Sequence, residues 1–176
     1  MRRALTSRFD SSHYHLMNNI TIPVEDGTTQ VDHILVSRYG VFVIESKHYS
    51  GWIFANLGKQ WTQVLYKKKT KFQNPVRQNY KHVLAVAKIL DFLSPEHIQS
   101  VVVFTGNAVF KTPRPCGVFN LTELDNHIAS FETELLSENR MQFCVGRLEC
   151  CRMALTKQTD LEHVAHLKRK FGDAGR

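Results

Sequence analysis

The fold is decided by the stretch Asp32-His-Ile-Leu-Val-Ser-Arg-Tyr-Gly-Val-Phe-Val-Ile-Glu-Ser-Lys47, which holds two apolar runs separated by a short polar break. Both runs, at 34–36 and 41–44, are rich in residues that favour strands. The Ser-Arg-Tyr-Gly sequence between them is typical of a turn. The stretch therefore predicts a β-hairpin.

The register of this hairpin determines where its charged residues lie. If the loop has an even length and is centred between positions 38 and 39, Asp32 faces Glu45, and Lys47 faces Gln30. Opposed residues share a face of a sheet, so these four side chains gather at one end. The opposite face then receives the apolar residues Val31, Leu35, Phe42 and Ile44.

A second register stays open at this point. Gly40 could take a left-handed conformation in a three-residue loop with a bulge, which would shift the pairing by one residue. Glu45 would then move to the other face, and a second bulge would be needed to bring it back beside Asp32.

The grouping of Asp32, Glu45 and Lys47 indicates a site for cleaving phosphodiester bonds. Facing carboxylates about 5 Å apart repel each other unless a cation or a proton lies between them. Two hard oxygen ligands suit Mg²⁺, with Mn²⁺ as a second candidate, better than zinc. The plainer interpretation is that Asp32 and Glu45 are solvated strand residues and that Lys47 is a charge guarding a sheet edge.

Basic residues predict an anionic partner. The formal net charge is +7, which favours DNA as partner and does not exclude RNA. The most concentrated basic residues are Lys67, Lys68, Lys69, Lys71, Arg77 and Lys81. They could neutralise phosphates, while nearby aromatic rings stack on bases. The alternative is a solvated hairpin tip, and Trp52 and Trp61 are interpreted as packing residues of that hairpin.

Periodicity and turn residues predict the remaining elements. Strands are expected at 19–23, 52–54, 61–65, 99–104 and 117–120, and the end of a helix at 2–9. Asn74 and Pro75 predict the start of a helix whose apolar positions are Val76, Tyr80, Val83, Leu84, Ala87 and Leu90. Further helices are expected from a cap at Thr122 to about 136, and near 138–155 and 160–171. The order strand, helix, strand predicts a crossover within a mixed sheet.

The length of 176 residues and an ordinary share of hydrophobic residues, 43%, predict one domain spanning 1–176. The sequence shows no apolar core of a signal peptide and no membrane-spanning run, so we expect a cytoplasmic protein with no membrane partner. The four cysteines lack the paired short spacings of a zinc site and are expected to be reduced.

Several segments, in order, resemble the nuclease-related domain (NERD) family. They are the stretch from Glu25 to Lys47, Tyr49-Ser-Gly-Trp-Ile-Phe54, Trp61-Thr-Gln63 and Lys71-Phe-Gln-Asn-Pro-Val-Arg-Gln-Asn-Tyr-Lys-His82. The resemblance covers about 18–104. It is far more specific than the bare Asp…Glu-x-Lys pattern, which occurs often by chance.

This family is similar to the PD-(D/E)xK nucleases, and the resemblance implies a fold and a site. The implied fold is α/β, a mixed central β-sheet with flanking helices in a restriction-endonuclease-like core. The predicted C-terminal strand and helices at 105–171 form a mainly helical C-terminal part that is expected to pack on the same core. The implied metal ligands for Mg²⁺ are Asp32, Glu45 and the backbone carbonyl of Ser46. Lys47 and Gln78 complete the implied catalytic set.

One departure from the family pattern concerns a metal ligand. Members usually carry a Gly-Glu pair on a helix before the first strand, and that glutamate helps to bind metal. This chain has no glutamate before Glu25, and Asp10 is the one upstream carboxylate. Either the sequence starts inside the domain, or the protein has lost that ligand. In the second case the alternative to a nuclease is a nucleic-acid-binding module with a degenerate site.

Overall fold

The computed structural model describes residues 12–171, apart from the side chains at 160, 167, 170 and 171. The strands of this part are β1 (Tyr14–Val24), β2 (Gly27–Ser37), β3 (Gly40–Lys47), β4 (Gly51–Phe54), β5 (Gln60–Leu65), β6 (Lys68–Gln73), β7 (Ile98–Phe104), β8 (Ala108–Phe110) and β9 (Val118–Asn120). Its helices are α1 (Pro75–Ile89), α2 (Leu121–Ala129), α3 (Glu138–Cys151) and α4 (Lys157–Phe171), with a short 3₁₀ helix at Pro95–His97.

The strands form two sheets. A five-stranded sheet has the order β1-β2-β3-β7-β9, and a four-stranded sheet has the order β6-β5-β4-β8. In the larger sheet β1, β2 and β3 are antiparallel neighbours, whereas β3, β7 and β9 run parallel. The predicted α/β class, with a mixed central sheet, flanking helices and a helical C-terminal part, is confirmed.

β2 and β3 form the predicted hairpin with a two-residue loop. Ser37 pairs with Gly40, and the Ser37 hydroxyl donates to the Gly40 carbonyl at 2.8 Å and accepts from the Tyr39 N–H at 3.1 Å. Gly40 has φ 133°, and a β-carbon there would lie 2.9 Å from the His97 carbonyl oxygen. Glycine is therefore required at this position. The alternative register with a three-residue loop is wrong.

Side chains on β1 and β2 alternate between the two faces of the sheet, and this alternation is interrupted at the position where Asn19 lies opposite Asp32. Residues on both sides of this position are paired, but Asn19 and Asp32 are not. Asn19 has φ 52°, a left-handed conformation that interrupts the pleat. Val31 consequently packs in the same core cluster as Ile34, although the two residues are three positions apart and would lie on opposite faces of a regular strand. The prediction that Val31 lies on the opposite face is wrong.

Helix α1 begins as predicted and connects the two parallel strands of the crossover. Asn74 caps it by accepting from the N–H groups of Val76 and Arg77 at 3.0 and 3.3 Å, and Pro75 occupies the first turn. The chain then enters β7, which pairs in parallel with β3. The predicted crossover is confirmed, and it lays α1 against the strand that carries Glu45.

The buried face of α1 is the predicted one in part. Val76, Val83, Ala87 and Leu90 pack against the core as predicted, whereas Tyr80 and Leu84 are 59% and 52% exposed and the prediction is wrong for them. Two polar residues, Asn79 and His82, are buried instead. Asn79 Nδ2 donates to acceptors on two strands, namely the Val43 carbonyl, the Ser100 hydroxyl and the Val101 carbonyl. The helix therefore buries polar side chains that apolar periodicity does not select.

The four-stranded sheet packs against the larger one through a shared apolar cluster. Trp61 is fully buried, and its ring stacks on Phe104 with centroids 6.4 Å apart. The cluster contains Ile53, Ala55, Trp61, Val102, Phe104 and Val118. Strands β4 and β5 and the packing role of Trp61 are confirmed, whereas β6 and β8 were not predicted.

Helix α2 is capped two residues earlier than predicted. Asn120 caps α2 in a capping box: its side chain accepts from the Glu123 N–H, and the Glu123 carboxylate accepts from the Asn120 N–H, both at 2.9 Å. The prediction of a cap at Thr122 and a helix to 136 is wrong. α2 ends at Ala129, and the N–H groups at 135 and 136 donate to the Arg38 carbonyl instead of continuing a helix.

Helices α3 and α4 confirm the two further helical predictions with shifted ends. α3 buries Met141, Cys144 and Leu148 against the core. α4 contacts β2 through His163, whose Nδ1 lies 2.8 Å from the Thr28 hydroxyl. The predicted helix at 2–9 falls outside the described residues. Within 12–171, every helix is too short or too polar to cross a lipid bilayer.

Candidate active site

Glu45 lies at the centre of a cluster of polar side chains near the end of β3. Its carboxylate is buried, with 2% of the side chain exposed. One oxygen, Oε1, lies 2.6 Å from Lys47 Nζ, and the other, Oε2, lies 3.2 Å from His82 Nε2. The contact with His82 is an ion-pair distance without the alignment of a full hydrogen bond, which leaves Oε2 a buried acceptor.

These neighbours determine the charge state of Glu45. Burial raises the pKa of this carboxyl, but the contact with His82 and the positive charge and hydrogen bond of Lys47 lower it by more. The net result is a pKa below the ordinary glutamate value. Glu45 is therefore an anion at neutral pH, although water hardly reaches it.

Gln78 holds Lys47 from the helix side. Its Oε1 accepts a hydrogen bond from Lys47 Nζ at 3.1 Å. Gln78 lies in the first turn of α1, where its N–H donates to the Asn74 carbonyl at 3.0 Å. The ammonium group is thus held between a strand carboxylate and a helix amide. Three of the predicted catalytic residues, Glu45, Lys47 and Gln78, come together here.

His82 is a residue of this site that the sequence analysis did not predict. Its Nδ1 lies 2.8 Å from the Thr29 hydroxyl, and its ring is buried. Thr29 occupies the place expected for Gln30, because the change of alternation at Asn19 shifts this end of β2. One pattern could have identified His82: it follows Gln78 by four residues and so shares its helix face. We call Thr29, Glu45, Lys47, Gln78 and His82 the Glu45 cluster.

Asp32 lies beside the cluster and is bound to Ser46. Its Oδ2 accepts from both the Ser46 N–H and the Ser46 hydroxyl at 2.8 Å. Within the described residues these are the hydrogen bonds that the Asp32 side chain makes. Because the N–H and C=O of one strand residue point to the same side, the Ser46 carbonyl is directed toward β2 as well. Asp32 therefore meets Glu45 through its neighbour Ser46 and not through a direct contact.

The oxygen atoms of these residues suit Mg²⁺ more than zinc. Glu45 Oε2 is buried without an aligned hydrogen-bond donor, and the Asp32 carboxylate and Ser46 carbonyl add further hard oxygens. Mg²⁺ keeps several waters and needs only one or two protein carboxylates. Among residues 12–171, no three His, Cys, Asp or Glu side chains are grouped to hold a metal ion, so a site here would depend on two carboxylates and a backbone carbonyl.

The basic residues predicted to bind nucleic acid are divided among three places. Each of them is exposed. Lys67 lies in the β5–β6 turn after Tyr66, which has φ 54°. The remaining residues lie on β6 (Lys68, Lys69, Lys71) and on the first two turns of α1 (Arg77, Lys81). Their positive charges are therefore exposed to solvent, but the structure does not gather them into one compact patch.

Comparison with known proteins identifies the family of this chain. The model of the family described as "Nuclease-related domain" (NERD) matches residues 2–105. An uncharacterized protein of Bacillus anthracis is 31% identical over 175 residues, covering 96% of this chain and 81% of the relative. The matched segment contains the whole Glu45 cluster and ends just after β7. The chain therefore belongs to the nuclease-related domain family.

Proposed function

We propose that this protein is a Mg²⁺-dependent nuclease that hydrolyses phosphodiester bonds of DNA at the Glu45 cluster. The observation that carries the proposal is the position of Lys47 Nζ, 2.6 Å from Glu45 Oε1 and 3.1 Å from Gln78 Oε1. A cation held by a buried carboxylate and an amide, in a nuclease-related domain, is suited to act on a phosphate group.

The proposed mechanism gives each residue one task. Asp32, Glu45 and the Ser46 carbonyl would hold the ion. When bound, Mg²⁺ supplies Lewis-acid activation of the phosphodiester and of a water molecule. Lys47 donates to that water or to a phosphate oxygen and offsets the negative charge that develops during hydrolysis. Gln78 keeps the ammonium group from turning toward bulk solvent.

His82 has a supporting task in the same proposal. It contacts Glu45 Oε2 and is itself held by Thr29, so the carboxylate is restrained from a second side. A restrained carboxylate loses less conformational freedom when it binds a cation. The exposed Arg77 and Lys81 lie on the same helix and add positive charge near the cluster, which favours the approach of an anionic substrate.

Nucleic-acid binding without cleavage is a second candidate function, favoured by the pairing state of Glu45. Both of its oxygens already contact nitrogen atoms, so its negative charge is balanced without a metal. Residues 1–24 also contain no glutamate that could serve as the family's usual upstream ligand, and Asp10 lies outside the described residues. A cluster of this kind could persist for stability after cleavage was lost.

A cleavage assay distinguishes the two functions. Purified protein is incubated with supercoiled plasmid, linear duplex and single-stranded DNA in Mg²⁺, in Mn²⁺ or in chelator, and binding is measured in parallel. The nuclease proposal predicts cleavage with either metal and none in chelator. Binding to DNA with no cleavage in any metal would support the binding module instead.

A further inference from the structure

The outward side of the four-stranded sheet carries aromatic and basic side chains in two rows. Register places Trp52 beside Val64 and Lys69 in one row, and Phe54 beside Thr62 and Lys71 in the next. Neighbouring strand residues in register share a face. We call these six residues the outer face. The residues between them, such as Ile53 and Trp61, point inward to the core.

Trp52 is the exposed aromatic group of the outer face. Its side chain is 51% exposed, in contrast to the fully buried Trp61. The sequence-based interpretation of both tryptophans as packing residues is therefore confirmed for Trp61 but not for the exposed half of Trp52. Lys111 Nζ lies 4.7 Å from the centroid of the Trp52 ring, a cation–π contact. Val109, paired with Trp52 on β8, is 50% exposed.

A shallow depression of about 360 Å³ lies beside Trp52 on this surface. It is lined by Phe54, Thr62, Val64, Lys69 and Lys71. Its floor is apolar and its margin carries two ammonium groups. Such a surface suits a ligand that is flat and apolar in one part and anionic in another.

We propose that the outer face binds single-stranded nucleic acid, with Trp52 and Phe54 stacking on unpaired bases and Lys69, Lys71 and Lys111 contacting phosphates. Unpaired bases present the π-faces that aromatic side chains need, whereas bases in a duplex are already stacked on one another. The net charge of +7 complements a phosphate backbone. An apolar protein partner would leave these lysines without counter-charges.

The outer face is connected to the Glu45 cluster by two short segments. Trp52 follows Lys47 by five residues, so their α-carbons are at most about 18 Å apart. β6, which carries Lys71, leads directly into α1 and Gln78. A strand stacked on the outer face would thus extend toward the proposed active site. This role in delivering substrate rests on the proposed nuclease function, but binding to the face does not.

Binding is measured in chelator, so that cleavage plays no part. Fluorescein-labelled oligo(dT), oligo(rU) and a duplex of equal length are titrated with the full chain and with Trp52→Ala. Base stacking on an aromatic ring contributes enough that Trp52→Ala is expected to weaken single-strand binding roughly 5- to 150-fold. Lys69→Ala and Lys71→Ala should each reduce the slope of log affinity against log salt by about 0.7. The comparison of dT with rU identifies DNA or RNA as the preferred strand.

Two further variants keep the test decisive. Phe143→Ala removes an aromatic side chain of similar exposure, 54%, from α3 and should leave binding unchanged. Trp52→Phe keeps a ring on the outer face, so affinity should change little. The chain has two tryptophans and Trp61 is buried, so quenching of tryptophan emission by oligo(dT) should disappear in Trp52→Phe.

Unchanged single-strand affinity in a folded Trp52→Ala protein would overturn the inference. Equal losses in Trp52→Ala and Phe143→Ala, or no binding of either oligonucleotide, would also overturn it. Tighter binding of the duplex than of either single strand, with the same affinity in wild type and Trp52→Ala, would also contradict the inference. The lysines would then serve another partner. Trp52-dependent binding without cleavage in Mg²⁺ would refute the proposed nuclease function alone.

Discussion

His82 and Glu45 join helix α1 to strand β3 through a buried contact, with His82 Nε2 3.2 Å from Glu45 Oε2. Both side chains are nearly inaccessible to water, at 6% and 2% exposure. On its other side His82 meets the Thr29 hydroxyl at 2.8 Å. The contacts therefore connect β2, α1 and β3, and they hold the carboxylate that the proposed function requires.

Replacing His82 with leucine should destabilise the protein, because Glu45 Oε2 and the Thr29 hydroxyl would lose their buried partner. Leaving buried polar groups unsatisfied costs about 2–4 kcal/mol of unfolding free energy in total. Urea denaturation of His82→Leu measures this loss. The neighbouring exposed Lys81→Ala serves as control and should change stability by less than about 0.5 kcal/mol.

A double-mutant cycle between His82→Leu and Glu45→Gln separates their interaction from other effects. We expect a coupling energy of about 1 kcal/mol or more, since the two groups touch in a buried site. Strictly additive losses would show that the contact does not contribute to stability.

The pH dependence of stability should report the ionised state of Glu45. Its pKa is lower in the folded protein than the ordinary value of 4.5, so ionised Glu45 stabilises the fold above that pH. The contribution is lost as pH falls below 4.5 through the lowered pKa. Glu45→Gln should lack this part of the slope, which chemical denaturation at a series of pH values would detect.

A second group titrates at higher pH and is common to both proteins in that comparison. Burial is the main cause that lowers the pKa of His33 below its ordinary value of 6.5, so protonation of His33 destabilises the fold as pH falls below 6.5. The charge of Glu45 also raises the pKa of His33, so the comparison is made in a His33→Asn background, where position 33 does not titrate. A difference that appeared already between pH 6.5 and 4.5 would contradict the lowered pKa of Glu45.

Asn79→Ala and Tyr80→Ala test which face of α1 is buried. Asn79 is fully buried and donates to two backbone carbonyls and a hydroxyl, so its loss should cost about 2–4 kcal/mol. Tyr80 is 59% exposed and should cost less than about 1 kcal/mol. Thermal or urea unfolding of the two variants measures both losses, and a larger loss in Tyr80→Ala than in Asn79→Ala would contradict this placement.

The sequence was sufficient where local chemistry determines structure. The turn Ser-Arg-Tyr-Gly fixes the β2–β3 register, since Gly40 has a positive φ and Ser37 closes the loop. The cap of α1 follows from Asn74 and Pro75 in the same way. The Glu45, Lys47 and Gln78 grouping was predicted because the hairpin register and the family resemblance both point to it.

The sequence was insufficient where a distant partner overrides a local preference. Asn79 and His82 are polar, yet they are buried while Tyr80 and Leu84 are exposed. The reason is that Asn79 bonds to carbonyls of two strands and His82 contacts the Glu45 carboxylate. Val31 lies on the face opposite to the predicted one because Asn19 takes a left-handed conformation, which the pattern of apolar residues does not reveal. The role of His82 became visible only when α1 was placed against β3.

Ser46→Ala should weaken metal binding, because the Ser46 hydroxyl donates to Asp32 Oδ2 at 2.8 Å and orients a proposed ligand. Loss of a hydrogen bond that orients a ligand lowers metal affinity roughly 10- to 100-fold. Titration with Mn²⁺, followed by electron paramagnetic resonance, gives the affinity directly. Ser46→Thr keeps the hydroxyl and should retain wild-type binding. Equal affinity in Ser46→Ala would remove Asp32 from the proposed ligand set.

The central claim is that Lys47, held between Glu45 and Gln78, takes part in hydrolysis of DNA. The most direct measurement is the single-turnover cleavage rate of labelled DNA in Mg²⁺ by wild type, Lys47→Ala and the control Lys88→Ala, which removes an exposed lysine of α1 that is paired with Glu25. Loss of a charge-stabilising donor predicts a decrease of about 10²- to 10³-fold for Lys47→Ala, with Lys88→Ala close to wild type in rate. Equal rates in wild type and a folded Lys47→Ala protein would contradict the claim.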